Sequence, residues 1–193
     1  MIRTFIAVNL PQNIKDALYK LQQDLSADKL PIRWVKTESI HITLKFIGEI
    51  HEEIVKKISD DLFTIHPICE PFTITISGTG VFPNAKRPRI LWVGITEGDE
   101  ILAELAKSFE EALLPLKIPK EGRPFRPHIT IGRFTLQRSL KNMNILSPTM
   151  FPPQTFTADK ISFMKSTLKP SGAEYSTIAE NLLTPVKNSI IRK

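Results

Sequence analysis

The sequence predicts an α+β fold that is bilobal and duplicated with pseudo-twofold symmetry, each lobe a mainly antiparallel sheet with helices on its outer face and a central cleft between lobes. Two observations predict it. Short β-branched and aromatic segments, several with two-residue alternation, are separated by amphipathic helices. The order of these elements then repeats: strand, helix, strand opening His-Ile-Thr, helix, strand opening Phe-Thr, and the series again. Three offsets support the duplication: Arg3 to Arg89 is 86 residues, His41 to His128 is 87 and Phe72 to Phe156 is 84. A few inserted residues account for the drift.

Taken in order, the first strand is expected at 3–9. Behind Pro11, the residues Ile14, Leu18, Leu21 and Leu25 recur at helical spacing and mark one amphipathic helix. A strand follows at 41–47, and a second helix carries Ile54, Ile58, Leu62 and Ile65. Strands at 72–80 and 89–96 come next, then a third helix with Leu102, Leu105, Phe109 and Leu113 behind a candidate cap at Asp99. The strand at 128–134 is followed by a weaker helical stretch over 139–145, which Pro148, Pro152 and Pro153 end in a loop. Strands at 155–165 and 174–182 complete the chain, the last expected to close the circle by matching the opening one. No low-complexity linker divides the sequence, so 1–193 reads as one domain of two intertwined lobes. Repeat 1 covers about 2–80, repeat 2 about 89–165, and the closing strand about 174–182.

Composition sets the outer limits. The chain has 193 residues, 41% hydrophobic and 24% charged, and is long enough to bury a core without staples. Cys69 is the single cysteine, so an internal disulfide is impossible and nothing argues for an oxidising compartment. The longest apolar run is six residues, 90–95, and the apolar stretch at 5–8 is too short for a signal-peptide core. A cytoplasmic protein that does not enter a membrane is the expectation. A charge of +6, from 26 Lys plus Arg against 20 Asp plus Glu, hints at an anionic partner, although many solvated surfaces carry as much.

The chemistry is concentrated in a repeated tripeptide. His41-Ile42-Thr43 and His128-Ile129-Thr130 stand at equivalent places in the two repeats. With 4 His among 193 residues, random order predicts fewer than one His-x-Thr, so two aligned copies need a cause. In a strand, residues i and i+2 share a face, so each His stands beside its Thr hydroxyl while Ile42, Leu44, Ile129 and Ile131 turn to the core. Two such pairs on one groove supply two imidazoles that titrate near neutral pH, one able to accept a proton while the other donates. The hydroxyls can bond the nonbridging oxygens of a phosphate without adding negative charge. The plainer reading makes each His a half-buried residue satisfied by its own Thr. A zinc site would need Asp, Glu, Cys or a third His beside the pair, and neither motif offers one. His51 and His66 flank the second helix without repeat equivalents and read as surface residues.

Secondary candidates carry two readings each. Lys117, Lys120, Arg123 and Arg126 precede His128 in a segment broken by Pro and Gly, either a basic loop that positions phosphates or an ordinary solvated one. Arg133 lies five residues past His128, where strict alternation aims it away from the imidazole, and a bulge at Gly132 would bring it round. It either stabilises a phosphate or makes a structural ion pair. Phe46 occupies the matching place in the first repeat, as a ring offered to a base or as core. Trp34, Phe82 and Trp92 are further stacking candidates, with core packing favoured for Trp92. The 86–89 segment reads as a solvated basic hairpin loop.

At these residues the chain resembles the 2H phosphoesterase superfamily, through His41-Ile-Thr-Leu and His128-Ile-Thr-Ile. Within it, the chain is most similar to bacterial and archaeal RNA 2′,3′-cyclic phosphodiesterases, historically called 2′-5′ RNA ligases. The likeness runs over nearly the whole chain, in Arg3-Thr-Phe-Ile-Ala-Val, Trp34-Val, Thr43-Leu-Lys-Phe-Ile-Gly-Glu, Pro88-Arg-Ile-Leu-Trp-Val-Gly and Arg123-Pro-Phe-Arg-Pro-His-Ile-Thr. It implies a positively charged cleft, no metal and no cofactor, and hydrolysis of an RNA-terminal 2′,3′-cyclic phosphate to a 2′-phosphomonoester, with RNA ligation as a possible reverse activity. It further implies that His128 accepts a proton from water, that His41 protonates the departing 3′ oxygen, and that Thr43 and Thr130 hold phosphoryl oxygens. The two His roles are open to reversal. Arg133 matches the family's Arg after the second motif, and Arg126, Arg123 and Phe46 are the other expected substrate contacts. The partner implied is RNA ending in a cyclic phosphate, tRNA fragments included, or a nucleotide, met by a monomer. Two alternatives remain: a cyclic phosphodiesterase on small nucleotides, and a nucleotide- or RNA-binding module without physiological turnover.

Overall fold

The structure is a computed structural model that describes residues 1–27, 30–61, 69–136, 146, 150–170 and 172–184, with the backbone alone at 62–65. In chain order the elements are β1 (Ile2–Asn9), α1 (Gln12–Ser26), β2 (Ile32–Trp34), β3 (His41–Ile50), α2 (Glu52–Ile65), β4 (Phe72–Phe82) and β5 (Ile90–Glu97). Then come α3 (Asp99–Ala112), β6 (His128–Phe134), β7 (Gln154–Ala158), β8 (Lys160–Lys169) and β9 (Gly172–Leu182). Helix α1 starts where expected because Pro11 fixes an extended entry and its carbonyl accepts the amides of Ile14 and Lys15. Its stripe of Ile14, Leu18, Leu21 and Leu25 is buried. At α3, Asp99 is not the cap. Gly98 holds that place in the left-handed region at φ 82°, where a Cβ would meet the Thr73 carbonyl at 2.5 Å. Asp99 and Glu100 instead place negative charge in the first turn, where the helix dipole favours it.

The strands form one antiparallel sheet ordered β7-β4-β5-β6-β3-β1-β8-β9, with β2 pairing to β6 off that path. The lobes meet at its middle, where β3 and β6 pair through Ile42 and Ile129. Reading outward from this seam, β6-β5-β4-β7 mirrors β3-β1-β8-β9. The mirror corrects three sequence alignments. Val8 pairs with Ile42 and Val93 with Ile129, an offset of 85, so Arg3 corresponds to Pro88 and not to Arg89. The counterpart of β4 is β8, and that of β9 is β7, so the matches of Phe72 with Phe156 and of the closing strand with the opening one do not hold.

The segment read as a single strand at 155–165 is two, interrupted at Asp159, whose carbonyl accepts the amide of Leu183. β7 pairs with β4 at one edge, while β8 lies between β1 and β9 near the other. Most apolar side chains form one core between the sheet and its helices; a smaller cluster of Phe5, Ala7 and Met164, with Tyr175 against it, lies apart. The expected helix at 139–145, together with Pro148 and His66, lies outside the described residues. His51 is exposed at the start of α2, as expected.

Candidate active site

Because β3 and β6 are antiparallel and register at Ile42 and Ile129, both buried, the flanking His41, Thr43, His128 and Thr130 project together from the opposite face. The four side chains line one cavity of about 580 Å³. Each imidazole is fixed by a carbonyl two residues upstream. Nδ1 of His41 donates to the Ser39 carbonyl at 2.8 Å, and Nδ1 of His128 donates to that of Arg126 at 2.7 Å. Those acceptors set the neutral tautomer and leave an Nε2 lone pair on each ring. The Thr43 hydroxyl donates to Nε2 of His41 at 2.9 Å.

Aromatic walls flank both rings. His41 stacks on Phe5 at 4.7 Å and meets the edge of Tyr175 at 5.2 Å, and His128 meets Phe82 edge-on at 5.0 Å. Burial therefore dominates their titration. It pulls His41 down from 6.5 to about 4, opposed by the Ser39 carbonyl and reinforced by the charges of Lys15, His128 and Arg133. His128 is also lowered, first by burial and then by Arg133, against the pull of the Arg126 carbonyl. In the free protein both rings are neutral at pH 7.

After each His-Ile-Thr the strand carries an extra residue. Leu44 is unpaired against β1, and Ile131 against β5. These are β-bulges at matching places, and burial from His41 to Ile47 repeats residue for residue from His128 to Phe134. The bulge resets alternation. Phe46 and Arg133 consequently return to the cavity, and two helices brace the bulges in matching ways. Gln22 of α1 donates to the Ile131 carbonyl at 2.8 Å, while Glu110 of α3 accepts from the buried Lys45 ammonium at 2.8 Å. Lys45 also donates to the Pro119 carbonyl at 2.9 Å, and Glu110 accepts from the Glu121 amide, so this clamp holds the loop that leads to His128.

Not every expected contact is brought together. The Arg126 side chain is exposed and outside the cavity wall, its backbone alone serving His128. Arg123 and Lys120 line a separate cavity of about 220 Å³ against α3. The basic loop therefore faces elsewhere, because its anchorage on Lys45 and Glu110 turns it toward α3. Among the described residues, the 86–89 segment contributes nothing to the large cavity. Trp34 lines it, whereas Trp92 packs across Gly80 and against Phe82. Among the described residues, the cations that line it besides Arg133 are Arg3, Arg33, Lys36 and Lys169, and no Asp or Glu lines it. Sequence reading missed these four and Tyr175. Alternation shows which residues share a face, and only the strand order shows that β1, β2, β8 and β9 surround the seam.

Among the described residues, no three His, Cys, Asp or Glu side chains converge as a metal site would require, and no helix is long and apolar enough to cross a membrane. The model of the LigT-like phosphoesterase family matches twice, at residues 8–92 and 93–175. An RNA 2′,3′-cyclic phosphodiesterase of Methanocaldococcus jannaschii is 35% identical over 93% of this chain and 99% of its own. One of Aquifex aeolicus is 32% identical over 93% and 96%. The crystal structure of TT0787 of Thermus thermophilus superposes with a TM-score of 0.78 at 26% identity, covering 94% of this chain and 98% of that one. Two successive family matches, falling on the two halves that the seam joins, establish that the chain belongs to the LigT-like phosphoesterases of the 2H superfamily.

Proposed function

We propose that this protein hydrolyses the 2′,3′-cyclic phosphate at an RNA 3′ end to a 2′-phosphomonoester, using His128 as general base and His41 as general acid, without a metal. The observation that carries the reading is the pair of carbonyl-anchored imidazoles on one cavity whose described charged lining residues are all cationic. The names of the relatives support the substrate. The cyclic diester is a monoanion whose charge offsets the burial and the nearby cations that depress the rings, so its binding raises their pKa and His41 takes up a solvent proton on Nε2. Nε2 of His128 takes a proton from water as the water oxygen bonds to phosphorus. The bond from phosphorus to the 3′ oxygen breaks, and Nε2–H of His41 delivers its proton to that oxygen. Thr43 turns from His41 to a phosphoryl oxygen, Thr130 takes another, and Arg133 stabilises the charge that grows on them. Phe46 offers its exposed ring to the terminal base.

The test is incubation with an oligoribonucleotide 2′,3′-cyclic phosphate in excess chelator, followed by identification of the monoester. A 2′-phosphate is expected at undiminished rate. A 3′-phosphate would contradict the assignment of the acid, and activity lost to chelator and restored by zinc would rule out the metal-free mechanism.

A further inference from the structure

The cavity holds more positive charge than a cyclic phosphate uses. Arg133 is the cavity arginine whose charge acts on both imidazoles, and Arg3 lies over the Phe46 ring at 4.6 Å from its centroid. Lys36, in the segment after β2, and Lys169, at the end of β8, belong to the same wall but are occupied differently. Both approach the carboxylate of Glu174 on β9, Lys36 at 4.0 Å and Lys169 at 2.5 Å. Glu174 itself is not a lining residue, although its neighbours Ala173 and Tyr175 are. One anion thus bridges two cations that reach it from separate elements at the cavity's margin.

All three side chains are two-fifths to one-half exposed. Exposed ion pairs contribute little to stability, so another anion can take the place of the carboxylate cheaply. A phosphodiester is suited to do so, since its two nonbridging oxygens can serve one ammonium each. Resting on the phosphodiesterase reading above, we propose that Lys36 and Lys169 form a subsite for the phosphodiester immediately 5′ of the cyclic end. Glu174 fills this subsite as a displaceable counter-anion while no RNA is bound. The preferred substrate is then an RNA strand and not a cyclic mononucleotide. The subsite reads backbone charge without regard to base, as phosphate contacts do.

The experiment compares two dinucleotides ending in a 2′,3′-cyclic phosphate, one with an ordinary internal phosphodiester and one with a neutral methylphosphonate linkage. For the native chain, kcat/KM should favour the charged linkage at least tenfold. Lys36→Ala with Lys169→Ala should shrink that preference to within about twofold, and Glu174→Gln should enlarge it. The preference should also fall as salt rises in the native chain and be nearly salt-independent in the double variant. An equal preference in the native chain and the double variant, or none in the native chain, overturns the subsite. Anisotropy binding of the same two dinucleotides carrying a plain 3′-phosphate reads the subsite separately from turnover. A preference present in binding with no hydrolysis of either cyclic substrate would therefore overturn the catalytic reading and leave the subsite standing.

Discussion

At the scale of single residues, the two histidines share a backbone anchor and differ in their walls, and the difference has consequences in pH. His41 sits against Phe5 and Tyr175 and titrates at about 4, while an unfolded chain protonates its histidines near 6.5. Between these values the unfolded state binds the extra proton, so stability rises with pH. The contribution of His41 is complete above about pH 6.5, declines as pH falls toward 4 and then levels, a loss of roughly 3 kcal/mol for a shift of this size. Urea unfolding at pH 7.5 and 4.5 reads it, and His41→Gln, which cannot titrate, should shrink the difference while leaving the part that the lowered His128 contributes. A pH dependence unchanged by that substitution would mean that the ring is not buried as described. In catalysis, His41→Ala and His128→Ala should each lower turnover by about 10²–10⁴-fold while the chain stays folded by circular dichroism. The acidic limb of kcat/KM should lie below pH 6.5, because burial lowers His128 in the free enzyme. These two histidines were legible in the sequence because the motif occurs twice; Lys36 and Lys169 were not, because each is a single lysine in a chain with 26 basic residues.

At the scale of elements, the paired bulges decide what the motif strands present. Strict alternation from His128 turns Arg133 away, and the extra residue at Ile131 turns it back. The sequence hinted at this through Gly132, where a Cβ would come within 2.5 Å of Ile32 Cγ2 and 3.2 Å of the Trp34 ring. It gave no such hint at the matching bulge, where Lys45 is buried and its bonds to Glu110 and the Pro119 carbonyl explain how a charged side chain fits. The reading of 155–165 as one strand failed for a related reason. Alternation runs through Ala158 and Lys160 without a Gly or Pro to mark the break at Asp159, and strand pairing is invisible to local pattern. Gly132→Ala should therefore cost about 1–3 kcal/mol, since a β-branched Ile cannot yield by rotating away. It should also raise KM more than it lowers kcat, because displacing β2 from β6 moves Arg33 and Trp34 in the cavity wall without touching either imidazole. A variant with native stability and native KM would show that β2 does not depend on this contact.

At the scale of the whole molecule, each half of the sequence completes the lobe of the other. Among the described residues β4, from the first half, pairs only with β5 and β7 of the second, and β8, from the second, fills the place beside β1. The helices exchange support in the same way. Gln22 of α1 reaches the bulge on β6, and Glu110 of α3 reaches the bulge on β3. Cut between β4 and β5, the first half would keep, among the described residues, a single ladder, that of β1 with β3, and β4 would lose both its partners. A two-stranded ladder is not stable alone in water, and α3, the helix that packs on β3, goes with the other half. Neither lobe can therefore unfold first, because opening one removes strands from the sheet of the other. The native chain should unfold in one transition, with tryptophan fluorescence and far-ultraviolet circular dichroism losing signal at the same urea concentration. A fragment of residues 1–86 should give the poorly dispersed amide spectrum of an unfolded chain, and adding 87–193 should restore dispersion together with activity, since His41 and His128 lie on different fragments. A folded spectrum from 1–86 alone would show that the first half builds its lobe without borrowed strands, and the seam at Ile42 and Ile129 would then be a docking contact between independent units.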